Sequence, residues 1–525
     1  MPATAQYYIG LDVSTQGAKL VLLDYVLGRP VFCAAVDYDR DLPQYGTRNG
    51  ACAGLARGVS ESEPGMWLEA VRRLCDRLRD SGCDLARVRA VSVSGQQHGL
   101  VCLDRAGTLT RRTSKLWNDV STSVECAELT AAVGGEAAML AAVLNTQRPG
   151  YTAAKILHFR KTEPDAYRRT ATLFLVHNYI NWFLTGGARV MEPGDVSGMA
   201  LWNPVSRDWA AGVCAAVGPD LIEKLPPVRP SDEFIGGVAP ELCARYGFCA
   251  DCRVDAGCGD NMYGAIGTAN VREGVVTVSL GTSGTAYTFS ERPYVSPDGD
   301  IASFCDSTGH HLALLCVSNL ANGYNEVLRS RGLDHDAFSA LVEQVPPGNG
   351  GALLLPWFQG ERTPNLPLAA PVTLGFGLGD LTPAKLCRAV LEGHVMNLYE
   401  GYLKLPVRAE RVHLTGGLAK SRAWRRTLAD IFGAEVVSVK GEGAALGAAI
   451  HAAWVDHKSD AGRDLPGFVG RFVEFDEGSR TAPDPGNMKA YADFKKAYLA
   501  LSRRVRGQAG GEDPFALRRV LAGLL

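Results

Sequence analysis

Apolar residues in this chain recur in two patterns, short strand-like runs and longer runs with helical spacing. Tyr7–Asp24 predicts a strand–turn–strand hairpin, and Val275–Phe289 predicts a second hairpin roughly half a chain later. Pro64–Ser81 carries apolar side chains at helical spacing and predicts an amphipathic helix. Because strand and helix patterns alternate along the whole chain, we expect an α/β fold.

The turns of both hairpins are rich in glycine, serine and threonine. The first turn follows Asp12 and contains Thr15, and the second contains Gly281 and Thr282. Backbone N–H groups and hydroxyls in such turns form a concave site for anions, so the pair predicts a phosphate clamp built by two halves of a duplicated fold. Ordinary hairpin turns have the same composition, and this alternative stays open here.

The second half of the chain has its own pattern of elements. Helices are predicted over Thr382–Leu398, Ser421–Phe432 and Ala444–Trp454, whereas Gly462–Asn487 is predicted to be a loop. A connecting loop rich in proline and glycine precedes residue 254. We therefore expect a boundary there, with one domain over residues 1–254 and a second over residues 255–525.

Composition narrows the function classes. A net charge of -2 in 525 residues gives no electrostatic case for binding nucleic acid or an anionic membrane. No apolar run is long enough to span a bilayer, and the first residues lack the pattern of a signal peptide, so we expect a cytoplasmic protein. Cys243, Cys249, Cys252 and Cys258 lack the two close pairs of a typical zinc site, so we expect reduced thiols.

Two acidic residues are candidates for catalysis. Asp260 follows a glycine-rich segment, directly before an apparent helix, and is suited to accept the proton of a substrate hydroxyl during phosphoryl transfer. The alternative is a helix N-cap. Asp12 is suited to orient Mg²⁺ or its bound waters against phosphates. The alternative for Asp12 is an ordinary turn aspartate.

Three further segments carry polar or glycine-rich chemistry. Gln97 and His98 follow the strand Val88–Val93 and offer directional hydrogen bonds to sugar oxygens. Gly416 and Gly417 lie between a strand and a helix, where a base or ribose can approach the backbone, although glycine is also common in such turns. Finally, residues 441–447 resemble a dinucleotide fingerprint, but the third glycine comes one residue late, so a dinucleotide enzyme is a weaker alternative.

Taken in chain order, these segments resemble the FGGY family of carbohydrate kinases over about residues 7–500. The resemblance rests on eight segments: Ile9–Gln16, Ser94–Gly99, Trp117–Asp119, Asp195–Gly198, Gly259–Asn261, Ser279–Gly284, Gly360–Pro364 and Gly416–Ser421. No single segment is decisive, whereas eight in family order are very specific.

The resemblance implies two actin-like, ribonuclease-H-like domains with an interdomain catalytic cleft, and phosphorylation of D-xylulose at its 5-hydroxyl with ATP and Mg²⁺. It also implies roles for individual residues: catalysis by Asp260 and Asp12; sugar contacts from Gln97, His98, Asp260 and Asn261; ATP contacts from Thr15, Gly281, Thr282, Gly416, Gly417 and Lys420; and Mg²⁺ binding, directly or through water, by Asp12.

Departures from the family pattern leave the sugar open. Leu418 stands at the usual third glycine of the adenosine motif, Gln97 replaces the usual methionine, and Asp119 is followed by Val120 and Ser121 rather than Gly-Arg. A kinase for ribulose, gluconate, fuculose or a polyol is therefore an alternative, as is a non-catalytic actin-like ATP-binding protein. The resemblance allows a homodimer, but the sequence requires no particular interface.

Overall fold

The computed structural model describes residues 5–441, 443–461, 464–508 and 510–523, which form two compact α/β units. The first unit comprises Met1–Val271, Phe289–Leu312 and Gly441–Val473, and the second comprises Arg272–Thr288, Ala313–Lys440 and Glu474–Leu525. The chain therefore leaves the first unit after Val271 rather than near residue 254. The reason is that strands just beyond residue 252 pair with a central strand of the first sheet.

The main sheet of the first unit has seven strands: β1 (Tyr7–Val13), β2 (Gly17–Asp24), β3 (Arg29–Asp37), β4 (Val88–Gly95), β5 (Phe234–Gly237), β6 (Arg253–Asp255) and β7 (Cys258–Gly259). Their order is β5-β6-β4-β1-β2-β3, and β7 also pairs with β4. β1 and β2 form the predicted antiparallel hairpin. Three strands, β1, β6 and β7, each pair with β4 in parallel. The shorter strands of this unit are Thr47–Arg48, Ala51–Cys52, Glu61–Ser62, Val101–Leu103, Ser114–Lys115, Thr172–Phe174, Trp202–Asn203, Asp208–Trp209 and Ala302–Cys305.

Helices cover this sheet. The predicted amphipathic helix is present as Pro64–Arg79, and its apolar stripe, which includes the fully buried Trp67 and Leu74, packs into the core beside β2 and β3. The other helices of the first unit are Tyr38–Asp41, Ser123–Ala132, Glu136–Val143, Thr152–Thr162, Pro164–Arg169, Val176–Thr185, Pro193–Val196, Ala211–Val217, Leu221–Lys224, Pro240–Tyr246, Asp260–Gly267, Gly443–Ala461 and Leu465–Gly470.

The last glycine of residues 441–447 serves close helix packing. Gly447 faces the Asp260–Gly267 helix, and a Cβ there would lie 1.8 Å from the carbonyl oxygen of Tyr263. On the neighbouring strand β1, a Cβ at Gly10 would lie 1.9 Å from the carbonyl oxygen of Ala445. The Gly443–Ala461 helix therefore contacts both β1 and the Asp260–Gly267 helix through backbone atoms, and this packing accounts for the glycine at position 447.

The second unit repeats the strand order of the first. Its sheet contains β8 (Val275–Leu280), β9 (Gly284–Ser290), β10 (His311–Val317), β11 (Arg411–Thr415), β12 (Glu435–Lys440) and β13 (Glu474–Thr481), in the order β10-β9-β8-β11-β12-β13. In both units an antiparallel hairpin is followed by two parallel strands and an antiparallel edge strand. The repeated order agrees with the predicted duplication. Two shorter strands, Leu353–Leu355 and Val372–Leu374, form a separate pair.

The helices of the second unit are Ala321–Arg331, His335–Glu343, Pro383–Tyr402, Arg422–Phe432, Pro485–Val505 and Pro514–Leu521. The loop predicted over Gly462–Asn487 is wrong for most of its length. Residues 462 and 463 lie outside the described residues, but the rest contains the Leu465–Gly470 helix and the edge strand β13.

The described residues contain neither a single membrane-spanning helix nor a cluster of metal-binding side chains. No single helix there is long and apolar enough to cross a bilayer; the helices Ser123–Ala132 and Glu136–Val143 pass together by length and composition but are bent by 87°. In the same ranges, no group of three or more His, Cys, Asp or Glu side chains is arranged to hold a metal ion. In the cysteine cluster, the Cys243 thiol contacts the carbonyl oxygen of Cys249 at 3.6 Å.

Candidate active site

Three parallel strands of the first unit end side by side. Asp12 on β1 pairs with Ser94 on β4, and Gly259 on β7 pairs with Gly95 on β4. Because parallel strands present their carboxyl ends at one edge of a sheet, Asp12 and the residue that follows β7, Asp260, emerge at the same edge. This edge therefore brings together the two acidic candidates that the sequence predicted.

Hydroxyl groups fix the Asp12 side chain on both sides. The Ser14 hydroxyl donates to Oδ2 at 2.5 Å, and the Ser94 hydroxyl donates to Oδ1 at 2.8 Å. The side chain is buried. Hydrogen bonds to both oxygens favour one orientation of the carboxylate.

Asp260 is the first residue of the Asp260–Gly267 helix and remains partly exposed. The N-cap of this helix is Gly259, so the interpretation of Asp260 as an N-cap is wrong. Burial of the carboxyl, followed by the nearby negative charges of Asp12 and Asp195, raises the pKa of Asp260 to about 8. A carboxylate with a raised pKa is a stronger proton acceptor than an ordinary aspartate.

Asn261 links the acidic candidate to the sugar-contact segment. Its Nδ2 donates to Oδ1 of Asp260 at 3.0 Å and to Oε1 of Gln97 at 2.9 Å. The Nε2 group of Gln97 is buried and has no hydrogen-bond partner within the described part of the chain. Three of the predicted sugar contacts thus lie together: Gln97, Asp260 and Asn261. The Nε2 group of Gln97 is a donor among them that no acceptor in the described residues uses.

His98, the remaining predicted sugar contact, sits in a left-handed backbone conformation, with φ at 66°. Its ring packs against Tyr151, with ring centroids 4.7 Å apart. Gly198 leaves room for that ring, since a Cβ there would lie 2.7 Å from Cε1 of His98. The Asp195–Gly198 segment, noted in the sequence only for its family resemblance, therefore shapes the wall beside His98.

Thr15 connects the first phosphate-type turn with two other predicted segments. Its hydroxyl accepts a hydrogen bond from Nε1 of Trp117 at 2.9 Å and donates to Oε1 of Gln96 at 3.3 Å. The amide of Gln96 returns a bond to the carbonyl oxygen of Ser14 at 3.3 Å. The turn after β1 is therefore held by the side chains of Gln96 and Trp117, which belong to two other predicted segments.

Sequence reasoning missed a buried polar group next to Asp260. Nδ1 of His177 lies 3.1 Å from Oδ2 of Asp195, and Nε2 lies 2.7 Å from the amide nitrogen of Asn178. The amide donates to Nε2, so Nδ1 carries the proton that bonds to Asp195. Glu192 accepts from the backbone N–H of Asp195 at 2.6 Å. The contact between His177 and Asp195 joins residues 18 positions apart, and the sequence marked Asp195 only through the Asp195–Gly198 segment and did not mark His177.

The predicted ATP contacts other than Thr15 lie in the second unit. β8 and β11 run in parallel, so the turn containing Gly281 and Thr282 and the turn containing Gly416 leave the same edge of that sheet. Gly416 has φ at 88°, and a Cβ there would lie 2.6 Å from the carbonyl oxygen of Leu280. Only glycine allows this approach, which brings the two glycine-rich turns together.

Two other predicted adenosine contacts follow Gly416. A Cβ at Gly417 would have no atom within 4 Å, so its surface is open to a ligand. Lys420 is exposed at the end of a short 3₁₀ turn that precedes the Arg422–Phe432 helix. This 3₁₀ turn follows the carboxyl end of the parallel strand β11. It therefore lies at the sheet edge where α/β proteins bind ligands.

Comparison with known proteins identifies the family. The N-terminal domain model of the FGGY family of carbohydrate kinases matches residues 7–267, and the C-terminal domain model matches residues 276–455. The chain belongs to the FGGY family of carbohydrate kinases. The resemblance seen in the eight segments is thereby confirmed, as is the prediction of a carbohydrate kinase.

Individual relatives cover almost the full chain. The xylulose kinase of Haemophilus influenzae is 33% identical over 503 residues, which are 94% of this chain and 98% of the relative. The crystal structure of xylulose kinase from Bifidobacterium adolescentis matches with a TM-score of 0.78 and 27% identity, covering 93% of this chain and 99% of that one. Gluconate kinase from Lactobacillus acidophilus has a TM-score of 0.84 at 22% identity, over 96% and 98% of the chains, a likeness of fold alone.

Proposed function

We propose that this FGGY kinase transfers the γ-phosphoryl group of ATP to the 5-hydroxyl of D-xylulose. Similarity to the xylulose kinase of Haemophilus influenzae over nearly the full length supports the choice of sugar. The observation that carries the chemistry is that Asp12 and Asp260 emerge at the same sheet edge and that the pKa of Asp260 is raised. A cytoplasmic location and a homodimer remain predictions.

Asp260 is the proposed general base. The attacking hydroxyl becomes more acidic as its oxygen bonds to the phosphoryl group, and its proton then passes to the Asp260 carboxylate. The hydrogen bond from Asn261 to Oδ1 orients the carboxyl group. The raised pKa supports this role, because a more basic carboxylate accepts the proton with a larger driving force.

Gln97, His98 and Asn261 are the proposed sugar contacts. The buried Nε2 of Gln97 lacks a protein acceptor among the described residues. A buried donor without a partner is costly, so a sugar oxygen that accepts from it gains the full value of that hydrogen bond. Oε1 of the same amide is held by Asn261, which fixes the direction of the free N–H group.

The phosphates of ATP are proposed to contact Thr15, Gly281 and Thr282, and the adenosine is proposed to contact Gly416, Gly417 and Lys420. Asp12 is proposed to hold Mg²⁺, directly or through water, because a carboxylate is a hard oxygen ligand and two hydroxyls hold this one in a fixed orientation. When bound, Mg²⁺ neutralises phosphate charge during transfer.

The test is ADP release from MgATP with a panel of acceptors: D-xylulose, D-ribulose, L-ribulose, gluconate, L-fuculose and glycerol. We expect D-xylulose to give the highest kcat/KM, and a reaction without sugar sets the background of ATP hydrolysis. A higher kcat/KM with another acceptor would overturn the assignment of D-xylulose. No stimulation by any acceptor would overturn the proposed kinase reaction.

A further inference from the structure

Lys155 is a fully buried lysine in the first unit, and the proposed reaction assigns it no role. It lies on the Thr152–Thr162 helix with 0% of its side chain exposed. Its Nζ donates to the carbonyl oxygen of His98 at 2.7 Å. Among the described residues, the carbonyl oxygen of His98 is the acceptor of the hydrogen bond from the Lys155 amino group.

The carbonyl that Lys155 binds belongs to a strained backbone position. His98 has φ at 66°, a conformation that side chains with a Cβ rarely adopt. The hydroxyl of Thr152 donates to the same carbonyl oxygen at 3.3 Å. Residues 152 and 155 are one helical turn apart and share a face, so the helix holds this carbonyl with two donors.

Burial of Lys155 has a free-energy cost that packing alone does not explain. Burial lowers the pKa of this lysine to about 7, although Asp119 and Asp195 act in the opposite direction. An uncharged side chain of similar length would fill the same space without the desolvation cost. The contact with the His98 carbonyl is therefore what the amino group supplies.

We infer that Lys155 is a positioning residue that fixes the His98 turn for sugar binding. It acts through His98 and touches neither the reacting hydroxyl nor the phosphates. The inference rests on the proposed function, because that function places the sugar against His98. It predicts that loss of the amino group weakens sugar binding while the ATP site keeps its affinity.

The first test replaces Lys155 by methionine, which keeps length and removes the charged donor. Loss of a hydrogen bond from a charged donor should raise KM for D-xylulose by about 10- to 100-fold, with KM for ATP unchanged. Lys161, which is part-exposed on the same helix, provides the matched control K161M with wild-type KM values. T152V, which removes the weaker donor, should raise the sugar KM less and keeps the test available if K155M does not fold.

A double-mutant cycle separates positioning from general stabilisation. If Lys155 acts through His98, K155M should raise the sugar KM in the wild-type background but not in an H98A background. If K155M raised the sugar KM by the same factor in the H98A background as in the wild type, the inference would be overturned. An unchanged sugar KM in both K155M and T152V would overturn it as well. Failure of the proposed function is recognised separately, since the wild-type protein itself would then prefer another acceptor to D-xylulose or phosphorylate none.

Discussion

Replacement of Gly447 by alanine should push apart two helices that touch backbone to backbone in the first unit. A Cβ at this position would lie 1.8 Å from the carbonyl oxygen of Tyr263 and 2.9 Å from the amide nitrogen of Gly267. Non-bonded carbon and oxygen atoms need a separation of roughly 3.5 Å. The helices would therefore have to separate by about 1.7 Å near this contact.

The energetic cost follows from what the new methyl group meets. Overpacking of a buried contact costs about 1–3 kcal/mol, and we expect about 3 kcal/mol here, because backbone atoms cannot rotate aside. For a unit of more than 300 residues, an unfolding entropy of about 2.1 cal/mol/K per residue converts that free energy into a fall in Tm of about 4 °C. The Asp260–Gly267 helix starts with the proposed base, so kcat of the folded G447A protein should fall as well.

The assay compares thermal unfolding of G447A with that of G212A. Gly212 is exposed in the Ala211–Val217 helix, and a Cβ there would have no atom within 4 Å. Alanine is favoured over glycine in a helix by about 1 kcal/mol, so G212A should unfold at the wild-type Tm or above. A G447A protein with the Tm and kcat of the wild type would refute the close-packing argument.

Three further predictions concern charge and ligands. Burial lowers the pKa of His451, but Asp255 and hydrogen bonds outweigh burial and raise this pKa above 6.5. The stabilisation by His451 is complete below the unfolded pKa and is lost as pH rises through the folded pKa. The difference in the free energy of urea unfolding between wild type and H451Q should therefore shrink with rising pH, and a difference that grew would contradict this. S94A removes one hydroxyl from Asp12, and the Mg²⁺ concentration for half-maximal activity should rise by about tenfold, whereas an unchanged Mg²⁺ titration would count against the assignment. G416A places a Cβ 2.6 Å from a backbone oxygen at a φ of 88°. The KM for ATP should therefore rise, whereas the KM for D-xylulose should not. A KM for ATP equal to that of the wild type in kinetic assays would argue against an ATP contact at Gly416.

The sequence predicted the elements whose signals are local. The hairpin of β1 and β2 was predictable because apolar strand runs flank a short polar turn. Asp12 and Asp260 were predictable as candidates because each acidic residue adjoins a strand end or a glycine-rich turn. That they share one edge follows only from parallel pairing through β4, which joins segments more than 150 residues apart.

Features that depend on distant partners were not predictable. The edge strand β13 consists mostly of charged and polar residues with few strand formers, and it is a strand because it pairs with β12. Lys155 reads as an ordinary helix lysine, since its acceptor, the carbonyl of His98, lies 57 residues earlier in the chain. Gly447 lies in a segment that resembles a dinucleotide fingerprint, whereas its neighbour in the structure is the carbonyl oxygen of Tyr263 in a packed helix.

The most direct test of the central claim is kcat of Asp260→Asn with MgATP and D-xylulose. Asparagine keeps the shape of the side chain but cannot accept the hydroxyl proton. We predict that kcat falls by about 10²- to 10⁴-fold while Tm stays at the wild-type value. A folded D260N protein that phosphorylates D-xylulose at a rate within about tenfold of the wild type would contradict the assignment of Asp260 as the general base.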